Sequence, residues 1–143
     1  MHATFKAVAG EAKPADLEFL IEKALEPGET REIADALVWL RLPLPFVLNH
    51  VNCWLLEDKD GWTIIDTGAD KPKSREIWDD VLANRLKGKP VKDVICTHGH
   101  PDHIGLAGWL RSAHGAEIVT TRTSWLYARM LVLDEQAAMV AET

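Results

Sequence analysis

The 143-residue chain has no excess of basic residues: 16 lysines and arginines stand against 22 aspartates and glutamates, for a net charge of −6. That balance lacks the electrostatic footprint of a nucleic-acid partner. No apolar run reaches the length of a membrane span, and the N-terminus lacks a signal peptide's charged start and apolar core. A soluble, cytoplasmic chain is the expectation. Only two cysteines occur, Cys53 and Cys96, each inside an expected strand, where both read as small buried hydrophobes. There is no internal repeat and no low-complexity segment. Apolar residues at 47% and charged residues at 27% are ordinary for a globular chain long enough for one domain with a real core.

Against this plain background one stretch stands out. Thr97-His98-Gly99-His100-Pro101-Asp102-His103 holds three of the six histidines and an aspartate within six residues. Imidazole and carboxylate are the usual ligands of zinc and other borderline transition metals. The cluster therefore reads as a metal site. Val91 to Cys96, rich in β-branched residues, enters it as a buried strand, and Ile104, Ala107, Leu110 and Ala113 leave it at helical spacing. His98 and His100, two apart in extended chain, point the same way. Asp102 and His103 fall at the mouth of the helix, where they can turn toward the same point. Gly99 keeps the crowded backbone free of a side chain, and Pro101 suits a first helical turn.

The rest of the chain supplies a mixed scaffold. Residues 1–13 are small and polar, and a helix is expected from Pro14 to Leu25, stopped by Pro27-Gly28. A polar link through Glu29 to Glu32 leads to a strand over 38–42, ended by Pro43 and Pro45. Strands near 51–57 and 62–66 are joined by the hairpin signal Asp58-Lys59-Asp60-Gly61. Ser74 is placed to cap a helix whose apolar stripe is Ile77, Trp78, Val81, Leu82 and Leu86. His114-Gly115 stops the helix after the motif, Glu117 to Thr120 forms a strand, and a last helix starts at Thr123 or Ser124. That helix reaches Thr143 with no glycine or proline stop, so the chain reads as ending short of a finished fold. Core packing is expected for at least four of the six tryptophans.

H-x-H-x-D-H followed by Ile104-Gly105-Leu106-Ala107-Gly108 resembles the signature of the metallo-β-lactamase superfamily. Trp62-Thr63-Ile64-Ile65-Asp66-Thr67-Gly68 resembles that family's hydrophobic strand ending in D-T-G, and the order and spacing of the two motifs agree. Asn49 to Leu56 fits its N-terminal strands. The resemblance covers approximately residues 38 to 127.

It implies an α+β chain that is the N-terminal half of an αββα sandwich. Residues 1–32 would form a helical extension and 33–143 the first part of the domain. It implies that His98 and His100 belong to one metal position, and Asp102 and His103 to the other. Asp102 would also be the catalytic residue, and Asp66 would orient a liganding imidazole. The further ligands, a histidine, a bridging aspartate and a final histidine, would lie beyond residue 143. Zinc is the implied metal, two ions in the complete domain, with iron or manganese as alternatives.

Of the other histidines, His114 complements a helix end, His50 begins a strand and can line the cleft, and His2 lies in the N-terminal tail. Three functional readings follow. One is a metallo-hydrolase of small esters, thioesters, lactones or amides, of glyoxalase-II or lactonase type. Another is a mononuclear iron enzyme. The last is a catalytically incomplete half-domain that binds a partner or a second copy as a homodimer. A small-molecule substrate is expected, with no nucleic acid and no membrane.

Overall fold

The computed structural model describes residue 21 and residues 23–141, with side chains as far as Asp134. The polar tail and residues 14–20 and 22 of the expected first helix lie outside them, and Ile21 and Lys23 to Leu25, where that helix was expected to end, are not helical. Alternation of apolar and polar residues builds the centre of the sheet. Strand β2 (Leu37–Pro43) buries Val38, Leu40 and Leu42, and β3 (His50–Asp58) buries Val51, Cys53 and Leu55. The two pair antiparallel, with Leu40 opposite Cys53. A tight turn that sets Asp58 opposite Gly61 returns the chain into β4 (Gly61–Ile65).

From β4 onward the pairing is parallel, and parallel neighbours need crossovers. Helix α1 (Pro72–Arg85) carries the chain to β5 (Val91–Ile95). Helices α2 (Pro101–Ile104) and α3 (Ala107–His114) carry it to β6 (Glu117–Val119). Helix α4 (Arg122–Ala141) follows. The six strands lie in sequence order.

Several local expectations change. The polar link is in part a strand, β1 (Thr30–Ala34), paired with β2 through a bulge between Glu32 and Ala34. It is polar because it is a half-exposed edge, where no core demands apolar side chains. Helix α1 begins at Pro72, with Lys71 as a cap that makes no side-chain bond. Ser74 is no cap but a fully buried residue of the first turn. The single helix expected after the motif is two, because the Leu106 amide at the break donates to Thr67 Oγ1 at 3.0 Å. Thr121 opens α4 instead of Thr123 or Ser124: its Oγ1 accepts the Ser124 amide at 3.1 Å.

Only Trp62 and Trp78 of the six tryptophans are buried in the core, fewer than the four expected. Trp109 packs at the core's edge and Trp125 is exposed. Trp39 and Trp54 stack on the sheet's other face, with ring centroids 6.2 Å apart. Cys53 and Cys96 are buried and unbonded, as expected.

The sheet has two unlike faces. On one, Leu40, Cys53, Ile64 and Val94 pack beneath Trp78 of α1 and Leu110 of α3 to form the core. On the other, Trp39, Trp54, Ile65, Ile95 and Val119 stand in register across five strands. No helix of the described residues is long and apolar enough to cross a membrane.

Candidate metal centre

Two parallel strands end side by side and each releases a loop at the same edge. From β4 the chain enters Asp66-Thr67-Gly68; from β5 it enters the histidine motif. Asp66 takes the left-handed conformation, with φ of 58°, a shape that aspartate and asparagine tolerate better than other non-glycine residues. Its amide donates to Ile95 O at 2.9 Å, which ties the two loops together at their roots.

Thr67, fully buried, is the second tie. Its Oγ1 donates to His103 O at 2.9 Å and accepts the Leu106 amide, and its own amide donates to His103 O at 2.8 Å. Its carbonyl in turn accepts Trp78 Nε1–H at 2.7 Å, so core packing reaches the site through one residue.

The closest approach of the two loops requires a glycine. A Cβ on Gly105 would collide with the Pro101 carbonyl and lie 2.8 Å from Gly68 O and 2.9 Å from the Asp70 nitrogen. All three obstacles are backbone, so none can swing aside. Gly105→Ala is expected to cost about 1–3 kcal/mol through overpacking. Urea denaturation checks it; an unchanged midpoint would mean that the loops are loosely joined.

The 5% exposed carboxylate of Asp66 organises the imidazoles. Its Oδ2 lies 2.8 Å from His103 Nδ1 and 2.8 Å from Thr97 Oγ1, and its Oδ1 accepts the Thr97 amide at 2.8 Å. A carboxylate only accepts, so His103 Nδ1 carries the proton and Nε2 is left as a free donor of electrons. Thr97 Oγ1 gives its own proton to Asp66, and its lone pair faces His98 Nδ1 at 3.0 Å. His98 is thereby held in the same tautomer, with Nε2 free. One carboxylate sets two imidazoles, His103 directly and His98 through Thr97.

The free nitrogens come in pairs with other donor atoms. His98 Nε2 is 3.1 Å from His100 Nδ1, and His103 Nε2 is 3.5 Å from Asp102 Oδ2. The His98 and His103 rings lie 3.9 Å apart, centroid to centroid. Two ligands on a tetrahedral zinc at ordinary bond lengths stand about 3.3 Å from each other. Each pair thus has the spacing of one edge of a coordination tetrahedron. Among the described residues no three His, Cys, Asp or Glu side chains are gathered so as to hold one ion. The donor set fits zinc as two half-sites, each supplying two corners.

Electrostatics suits neutral ligands. Burial, then the neighbouring His103 and His100, push the His98 imidazole below its ordinary range, so it stays neutral at physiological pH. Burial and the nearby Asp66 push the Cys96 thiol up to about 12, which makes it a protonated, inert neighbour instead of a thiolate ligand. His50 stands apart from the four, its Nδ1 accepting from Arg41 Nη2 at 2.8 Å. His114 ends α3 with its ring 6.0 Å from Trp109, edge-on. His2 lies outside the described residues. Thr67 and Thr97 are the site residues that sequence reasoning had passed over. The position of Thr67 inside D-T-G was the available signal; for Thr97 there was none.

The family model of the metallo-beta-lactamase superfamily matches residues 47–141, from the start of the hairpin to the end of α4. The chain belongs to that superfamily. It is 34% identical over 68 residues to the probable metallo-hydrolase YqjP of Bacillus subtilis, a match covering 47% of this chain and 21% of that protein. To hydroxyacylglutathione hydrolase of Albidiferax ferrireducens it is 30% identical over 78 residues, 54% of this chain and 27% of that one. Among solved structures, a beta-lactamase domain protein from Burkholderia ambifaria superposes with a TM-score of 0.71 at 36% identity, covering 76% of this chain and 37% of that one. The chain therefore spans about a fifth to two fifths of the length of these relatives. Its sheet and helices are the N-terminal part of the superfamily's αββα sandwich.

Proposed function

We propose that this chain carries the first half of the metal centre of a hydrolase acting on a small acyl compound: an ester, thioester, lactone or amide. The observation that carries the reading is the pairing of donor atoms, 3.1 Å for His98 and His100 and 3.5 Å for His103 and Asp102, with tautomers set by one buried carboxylate. His98 and His100 would hold one metal, and Asp102 and His103 the other. The chemistry a bound zinc supplies is Lewis acidity at neutral pH, which makes water nucleophilic and polarises an acyl carbonyl.

The chain's own residues do the rest. Asp66 and Thr97 keep two imidazoles in the coordinating tautomer, and Thr67 fixes the height of the motif helix over the sheet. Asp102, half-buried beside His103, is the carboxylate placed to hold or orient a proton on the attacking water. The similarity to a hydroxyacylglutathione hydrolase supports acyl transfer to water as the reaction. A zinc titration with elemental analysis tests the ligand set. The unsubstituted chain should take up metal at both pairs, and His98→Ala and His103→Ala should each lose about half of it, the ion of the pair they break. Equal uptake by all three would remove the assignment. Elemental analysis of protein purified without added metal separates zinc from iron or manganese. Hydrolysis of an acyl thioester is the second readout, and its absence from protein holding both metals would remove the hydrolase reading.

A second reading has its own observation. The in-register apolar row on the uncovered sheet face favours a chain that acts with a partner, a second copy included, because each half-site supplies only two ligands where a catalytic zinc commonly has three from protein.

A further inference from the structure

Beside the motif, a cleft of about 850 Å³ opens between the loop after β4, helices α2 and α3, and helix α4. Its volume is within the range of small-molecule sites. Ile104, Ile118, Trp125 and Val132 give it an apolar lining, and Phe46, 63% exposed, overhangs it. Gly99, Pro101 and Asp102 form part of its wall, so a molecule lying in it abuts Asp102 of the second donor pair. We infer that this cleft binds an anionic amphiphile, a compound with an acyl, alkyl or aryl body and a single oxyanion head.

Charge decides the class. Three cations, Lys71, Arg111 and Arg129, line the one cleft in a chain whose net charge is −6. None of them has an ion-pair partner among the described residues. The two acids on the wall are already engaged: Asp70 holds Arg75 through two 2.8 Å bonds, and Asp102 faces His103. The exposed Arg129 guanidinium stands 5.8 Å from the centre of the Trp125 ring, which sets its charge beside the apolar wall. Arg111 also borders an adjoining groove with Arg122, so a further cation extends the same patch. An uncharged apolar ligand would gain nothing from these exposed cations. A hydrophilic anion would leave Ile104, Ile118, Trp125 and Val132 in water. Only a molecule with both parts answers the whole lining.

The inference rests on the hydrolase reading only in making the occupant a substrate; occupancy itself is measured without metal or turnover. Decanoate, decyl sulfate, decyl phosphate and the uncharged decanamide are titrated into the chain by calorimetry, with tryptophan fluorescence alongside. At least one of the anions should bind ten times or more as tightly as decanamide, and the tightest of them identifies the head. High salt should narrow the gap, since the cations are exposed. The Arg111→Gln, Arg129→Gln double variant should weaken anion binding about tenfold and leave decanamide unchanged. Binding of all three anions no tighter than that of the amide overturns the inference, as does no binding at all, and both tests stand even if the variant fails to fold. Anion-selective binding without thioester hydrolysis by metal-loaded protein would remove the proposed reaction and keep the site. Hydrolysis with unselective binding would remove the site alone.

Discussion

An Asp66→Asn protein is expected to hold zinc ten to a hundred times more weakly than the parent chain and to lose about 3 kcal/mol of stability. Asparagine is the substitution that isolates the chemistry. It shares aspartate's tolerance for the left-handed backbone at φ of 58°, so the turn itself is not newly strained. What changes is the second oxygen. Three donors converge on the carboxylate: the Thr97 amide, the Thr97 hydroxyl and His103 Nδ1–H. An amide can turn its oxygen toward one side only, and its NH2 then confronts donors on the other. One or two buried donors are left unsatisfied at about 1–3 kcal/mol each, which sets the stability loss.

The zinc effect follows from tautomers. Without an acceptor at Nδ1, His103 is free to carry its proton on Nε2, the atom that faces Asp102. His98 loses its hold at one remove, because the Thr97 hydroxyl no longer has a fixed direction. Competition titration with a chelating dye measures the first loss and urea denaturation the second. Thr97→Val separates the two imidazoles, since it disturbs His98 while leaving the bond between Asp66 and His103 in place. Affinity and midpoint both unchanged in Asp66→Asn would show that the carboxylate is merely a turn residue.

The division between what the chain's residues announced and what they concealed follows the range of the interactions. His98, His100, Asp102 and His103 are contiguous, so their chemistry is legible in any reading, and D-T-G marks Asp66 beside them. Strands β2 to β5, the hairpin between β3 and β4, and the buried stripe of α1 all follow from local periodicity and turn chemistry. Thr97 was invisible because its role comes from Asp66, 31 residues earlier, brought alongside by parallel pairing of β4 and β5. The break between α2 and α3 has the same origin, a hydrogen bond from Leu106 to a threonine 39 residues away. Strand β1 was missed because an exposed edge needs no apolar pattern. The tryptophans misled for a related reason: an apolar face shows in the sequence, but whether anything covers it does not. Lys71, Arg111 and Arg129 are scattered over three elements, and only the packed fold gathers them around one cleft.

Alone in solution, this chain is expected to self-associate through its second sheet face. Trp39, Trp54, Ile65, Ile95 and Val119 form a row across β2 to β6, each directly opposite the next, and its far end is open to solvent at Ile95 and Val119. Leu56, 40% exposed, extends that apolar surface along β3. Layered folds place such a face against a second layer, because a contiguous apolar patch in water is unfavourable. Each large side chain buried there contributes roughly 1.5–3 kcal/mol before the cost of association, enough for a dimer with a Kd on the order of micromolar. Ile65→Lys together with Ile95→Lys puts two like charges directly opposite each other on that face and leaves the core side of both strands untouched. The double variant should weaken association at least about a hundredfold, a change of roughly 2.7 kcal/mol, while the like-charge pair lowers the melting temperature by only a few degrees. Sedimentation of both proteins at about 10 µM, above the expected Kd, reads the difference. A compact monomer of the unsubstituted chain, indistinguishable from the double variant, would mean that the row is covered from within and that the exposed face does not exist in solution.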